Sequence, residues 1–202
     1  MWAAGTAADA TVAFLLSKGA SPDLMDNNDN TALDFAIQSG CSSTIDLLAP
    51  VTTQGFHEAL KILAAFNTEL TPALEDLLRR AASDKDAAMK GVVNAAHFGA
   101  AKMLTILTRG WDNNTLDPTK ANQLLELSLM SDNAETVDIV KAFVPSVSSG
   151  NIVLALTRGR ADVVKLLGLG EDESSAEAAK QRLGRISFDF WHQIIVTLLF
   201  AL

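Results

Sequence analysis

Tyrosine is absent, glycine and proline number only 12 and 5 in 202 residues, and cysteine occurs once. With so few chain breakers, and with alanine and leucine abundant, helix is favoured over a turn-rich all-β design. The single Cys41 excludes an intrachain disulfide framework and suits a reducing compartment, so a cytoplasmic, intracellular location is expected. Basic clusters are missing too: no lysine/arginine run exceeds the pair Arg79-Arg80, and the formal net charge is −8. A nucleic-acid backbone or an anionic membrane surface would be repelled. No stretch reaches the roughly 20 apolar residues that a membrane-spanning helix needs. The opening Met1-Trp2-Ala3-Ala4 lacks the basic start of a secretion signal, and Val12–Leu16 is too short for its apolar core.

Catalytic constellations are equally scarce. His57, His97 and His192 are far apart, and none has a metal-ligand spacing. His57-Glu58 opens no zinc motif, because no second histidine follows at the required interval. Cys41 directly follows Gly40 in a turn and has no histidine fixed nearby by sequence, so it does not read as a nucleophile. Gly168-Leu169-Gly170 lacks the lysine and preceding strand of a phosphate loop, and acidic residues follow it, so it reads as a helix terminus. The carboxylates are scattered along helices. No enzyme, no cofactor and no metal is therefore expected.

What is present is concentrated in 26–48, DNNDNTALDFAIQSGCSSTIDLL. Five Asp or Asn residues, Asp26 to Asn30, favour a tight turn because they tolerate left-handed backbone and bond their own neighbours. Thr31 follows as a helix N-cap. Leu33, Ala36 and Ile37 share one helical face. Gly40 closes that helix, and Ile45, Leu47 and Leu48 begin another. Turn, short helix, glycine and short helix are thus written into one unit.

That order resembles the ankyrin repeat, a β-turn plus two antiparallel helices with a period of about 33. The resemblance rests on Asp26, Thr31-Ala32-Leu33, Ala36, Gly40 and the Ile45/Leu47/Leu48 set. Val12-Ala13-Phe14-Leu15-Leu16-Ser17-Lys18-Gly19-Ala20-Ser21-Pro22 looks like the second helix and exit of a preceding repeat. Ala32 stands where the family usually has proline, Asp34 where it has histidine, and Asp29 where it has the hairpin glycine. The resemblance is strongest at 26–50, 92–110 and 150–170. In the second stretch, Val92-Val93-Asn94-Ala95-Ala96-His97-Phe98-Gly99 is followed by Met103-Leu104-Thr105-Ile106-Leu107. Counting 33 onward from Gly99 lands on Asp132, between Leu125–Met130 and Val137–Val140, as a further turn requires.

The expected architecture is all-α, an ankyrin-like α-solenoid of about six helix-turn-helix repeats with short or degenerate hairpins. Approximate units are 1–25, 26–50, 54–83, 85–113, 118–148 and 149–170. The first reads as partial, which suits a portion of a longer protein. In the third, Gly55–Phe66 and Pro72–Ala82 are helical but the hairpin is missing, and Pro72 suits a helix start. An acidic link and a C-terminal segment occupy 171–202, where Ser174 and Glu177 match a capping box. The last fifteen residues are too short to span a bilayer and too apolar to stay in water. They read as a helix that caps the stack, packs on another protein through Phe190, Trp191, Ile194, Ile195, Leu198 and Leu199, or meets a further repeat.

The resemblance implies that another protein, of unstated identity, binds the concave face made by hairpin tips and first helices. Carried over unit by unit, the contact positions are Met25, Asn27, Asn28, Asn30, Gln38 and Ser39 in the second repeat. They are His97 and Phe98 in the fourth, Met130 and Ser131 in the fifth, and Thr157 and Arg158 in the sixth. Two other roles stay open: a structural subunit held through the apolar C-terminal helix, and the repeat portion of a larger effector or regulatory protein.

Overall fold

The computed structural model describes residues 1–54, 56–66, 69–112, 114–158 and 161–168. Twelve helices and no strand occur among them. They are α1 Trp2–Gly5, α2 Asp9–Ser17, α3 Ala32–Ser39, α4 Ser42–Leu48, α5 Phe56–Phe66 and α6 Pro72–Ala82. Then follow α7 Lys85–Phe98, α8 Ala101–Leu107, α9 Pro118–Met130, α10 Ala134–Lys141, α11 Ser149–Thr157 and α12 Ala161–Leu166.

The local chemistry sets these ends. Asp84, Asp117 and Asn133 turn their side chains onto the first free amides of α7, α9 and α10. Pro72 and Pro118 each open a helix, where a missing N–H costs nothing. Gly40 and Gly99 end α3 and α7 with φ of 70° and 74°, the left-handed backbone that glycine adopts without a steric penalty.

Each helix packs on the helix two places before it. The odd-numbered helices α1, α3, α5, α7, α9 and α11 form one row, and the even-numbered helices form the second. This is the architecture of a solenoid, in which every unit buries its neighbour's apolar flank. Leu33, Ala36 and Ile37 are buried on α3, as their spacing predicts, and Ile45 and Leu48 on α4. Ala95, Ala96, Met103 and Leu104 are buried in the α7–α8 pair, and Leu125, Leu129 and Val140 in the α9–α10 pair. All of them belong to one continuous core. The turn expected near Asp132 joins α9 to α10. The two-row packing runs unbroken through α5 and α6, where the hairpin signature is lost, because helix packing needs only the apolar stripes.

Polar ties also cross from one unit to the next. Thr44 Oγ1 donates to the Asp9 carboxylate, Thr71 Oγ1 to Asp46 at 2.8 Å, and Asn133 Nδ2 to the Gly99 carbonyl at 2.8 Å. The loop after α4 is held from both sides. Asp23 Oδ1 accepts from the Thr53 amide at 2.7 Å and the Gln54 amide at 3.1 Å, and Asp23 Oδ2 accepts from Thr53 Oγ1. From α6, the Arg80 guanidinium donates to the Thr52 and Ala49 carbonyls. Partial burial alone would raise the Asp23 carboxyl. The Thr53 and Gln54 bonds, with Arg80 nearby, outweigh it and hold the carboxyl below its usual range.

Asp23→Ala is therefore expected to cost about 1 kcal/mol, discounted for solvent exposure. It should also speed hydrogen exchange at the Thr53 and Gln54 amides. Unchanged exchange there would show that Arg80 alone holds the loop.

A candidate protein-binding face

The turn before α3 is built by its own side chains. The Asp26 amide donates to the Asn30 carbonyl at 2.9 Å, and the Asp29 amide to the Asp26 carbonyl at 3.1 Å. Asp26 Oδ1 accepts from the amides of Asn28 at 2.8 Å and Asn30 at 2.9 Å. Those two bonds, Asn30 first, hold the Asp26 carboxyl below its ordinary value. Asp29, where the family usually has glycine, carries a left-handed φ of 62°. Aspartate tolerates that conformation better than most residues do. The result is a fixed tip on which Asn27 and Asn28 are exposed, with Met25 beside it 43% exposed. Asn30 is half-buried and its amide lies against the Asp26 carboxylate, so it supports the turn more than it presents a surface.

The remaining predicted positions fall at the other ends of the odd-numbered helices. Gln38 and Ser39 finish α3 and are exposed, although Ser39 Oγ already donates to the Ala36 carbonyl at 2.9 Å. His97 and Phe98 finish α7, both exposed, with their rings edge to face at 4.8 Å. Met130 finishes α9 and is 46% exposed. Thr157 finishes α11, and Arg158 next to it donates to the Met130 carbonyl at 3.0 Å while lying 3.8 Å from Asp132. Arg158 thus joins the fifth and sixth helix pairs at the edge where Met130 sits.

Ser131 departs from its expected exposure. It is 6% exposed, its hydroxyl donates to the Ser128 carbonyl at 2.7 Å, and it lies against Gly99 of the preceding pair. A Cβ on Gly99 would come within 3.1 Å of the Asn133 Cβ and 3.4 Å of the Ser131 Cβ. This turn is packed against its neighbour, so a partner cannot reach Ser131.

Several exposed apolar residues, among them Trp2, Leu24 and Phe66, were not among the predicted contact positions. Phe66 is the last residue of α5 and is 63% exposed. Phe66, Phe98 and Met130 recur every 32 residues, each closing an odd-numbered helix. That period was the available signal, hidden because the third unit lacks the glycine that marks Phe98. A large apolar side chain in water at the same place on three successive units forms a row rather than scattered exposures.

Two concavities adjoin these ends. One, of about 400 Å³, is lined by Met1, Trp2, Gly5, Thr6, Asp26 and Phe35, and Trp2 there is 90% exposed. The other, of about 300 Å³, lies where α5 and the residues before α6 meet the turns after α7 and α9. Among the described residues, no group of three His, Cys, Asp or Glu side chains could hold a metal ion, and no helix is long and apolar enough to cross a membrane. The predicted link and C-terminal helix, with Phe190, Trp191, Ile194, Ile195, Leu198 and Leu199, lie outside the described residues.

Residues 1–49 match the family model described as ankyrin repeats (many copies). No curated protein and no solved structure matches the chain.

Proposed function

We propose that this chain is a non-catalytic scaffold of ankyrin-like repeats that binds a partner protein, a reading supported by the match of residues 1–49 to the ankyrin-repeat model. Ankyrin repeats are generally protein–protein interaction modules. The reading assigns the contact to the exposed ends of the odd-numbered helices and the tip at Asn27-Asn28. The observation that carries it is the row of Phe66, Phe98 and Met130, apolar and exposed on three adjoining units. A stack already fixed by its own core loses little entropy on binding, so modest contacts spread over several units add up. The net charge of −8 argues for a protein partner over nucleic acid, and the single cysteine for a reducing, cytoplasmic setting. Six units with the boundaries given above complete this reading.

Phe98→Ala combined with Met130→Ala tests it. Both side chains are surface-exposed, so circular dichroism and melting should be unchanged. Partner capture on the immobilised chain should fall at least tenfold, the loss of about 1.4 kcal/mol. Full retention of every partner would remove this face from consideration.

A further inference from the structure

Two aromatic residues in register line the concavity of about 400 Å³ at the start of the odd-numbered row. Trp2 of α1 and Phe35 of α3 stand 33 residues apart, one full period, and each has a buried apolar residue two positions on, Ala4 and Ile37. α1 and α3 pack side by side, so these two side chains come from neighbouring helices whose axes lie roughly 8–10 Å apart. Trp2 is exposed and Phe35 half-buried. Gly5 shares the lining, and a Cβ there would stand 3.7 Å from Phe35 Cδ1, so glycine keeps that side clear.

The polar groups of this lining are already engaged with their own backbone. Thr6 Oγ1 donates to the Trp2 carbonyl at 3.0 Å and the Ala3 carbonyl at 3.4 Å. Asp26 Oδ1 accepts from the Asn28 and Asn30 amides and from Asn30 Nδ2. Asp26 Oδ2 accepts from Asn30 Nδ2 at 3.4 Å. Those bonds, the Asn30 amide first, keep the Asp26 carboxyl below its usual range, so its charge persists. Asp26 and Asp29 on the tip outnumber the α-amino group of Met1, and the surroundings are net negative.

Aromatic rings, a negative charge and spent acceptors together select one kind of group. An anion would be repelled, and a neutral apolar group would make no use of the charge. A lysine ammonium brings three N–H donors, and burying them without free acceptors is costly. A quaternary ammonium carries the positive charge inside a shell of methyl groups, donates no hydrogen bond, and is attracted to aromatic rings. The same unit already places a cation over a ring, with Lys18 Nζ 5.5 Å from the centroid of Phe14.

We propose that the slot between Trp2 and Phe35 binds a trimethylated lysine side chain of a partner protein, with Asp26 as the counter-charge. The proposal rests on the scaffold reading above and extends its contact face to the first two units. Because the attraction is partly electrostatic, binding should weaken as salt rises.

Three peptide libraries, identical except for the central residue, test it against the intact chain. That residue is Nε-trimethyllysine, lysine, or the uncharged isostere with a tert-butyl group in place of the trimethylammonium. Retention of the trimethyllysine library should exceed that of the other two about tenfold. Trp2→Ala removes an exposed side chain, so melting should be unchanged while the preference disappears, and Gly5→Leu should remove it by filling the slot. Equal retention of either control library, or a preference that survives Trp2→Ala, would overturn the proposal. Choline binding as tightly as the best trimethyllysine peptide would overturn a protein as the source of the group. Failure of the slot stays separate from failure of the scaffold reading, which turns on partner capture by Phe98→Ala/Met130→Ala.

Discussion

Leu60→Ala is expected to cost about 3–4 kcal/mol, within the range for removing the three outer carbons of a leucine from a closed core. Leu60 is fully buried at the centre of α5, midway along the odd-numbered row. Its neighbour across the α5–α7 contact is Gly91, whose lack of a side chain lets Leu60 approach α7 closely. A Cβ built on Gly91 would fall 3.1 Å from Leu60 Cδ1 and 2.7 Å from Leu107 Cδ1. The void left by alanine at position 60 therefore opens onto backbone that cannot move in to fill it. Urea unfolding should show the midpoint falling with the slope preserved, unless the loss at the centre lets the two halves of the stack melt separately. A cost below about 1 kcal/mol would mean that α5 and α7 are not packed as described. Gly91→Ala gives the complementary result. The clashing atoms are the flexible tips of leucines, and alanine gains about 1 kcal/mol of helix propensity, so the single variant should be near neutral. Combined with Leu60→Ala it should recover part of the loss, a non-additivity diagnostic of direct contact.

Thr31→Ala is expected to cost about 2–3 kcal/mol, because it removes a helix cap and strips a buried carboxylate of a partner. Thr31 and Asp34 are both fully buried. The Thr31 amide and hydroxyl donate to Asp34 Oδ2 at 2.6 and 2.8 Å, and the Asp34 amide returns a bond of 3.4 Å to Thr31 Oγ1. Asp34 Oδ1 has no hydrogen-bond partner. Burial pushes the Asp34 carboxyl above its usual range. The Thr31 bonds oppose that, and the negative charges of Glu58 and Asp26 add to it.

The sign of the pH dependence follows. A carboxyl raised on folding contributes most below its unfolded value of 3.8, and that contribution is lost as pH rises through the folded value. Removing the Thr31 hydroxyl raises the carboxyl further, so the penalty of Thr31→Ala should be larger at pH 7 than at pH 4. A penalty independent of pH would show that the cap alone accounts for the loss. In the parent chain Asp9, Asp23, Asp26, Asp112 and Asp117 act in the opposite sense, since their carboxyls are lowered by hydrogen bonds. Their contribution is present above 3.8 and lost on further acidification, so the comparison must be between variant and parent at each pH.

Helices, their caps and their pairing could be read from the chain alone wherever the cause is local. Asp26, Thr31, Pro72, Gly40 and Gly99 act on backbone within four residues, so their types announce turns and ends. Apolar spacing at Leu33, Ala36 and Ile37 announces a buried face, and repetition at about 33 residues announces a stack. Burial of Ser131, the close approach at Gly91, the isolation of Asp34 Oδ1 and the cleft beside Gly99 and Ala100 could not be read this way. Each depends on atoms from units about 30 residues away, or on how two helices lean together. A sequence period records which residue types recur, whereas contact between neighbouring units depends on side-chain shape in three dimensions, and only the folded stack fixes that.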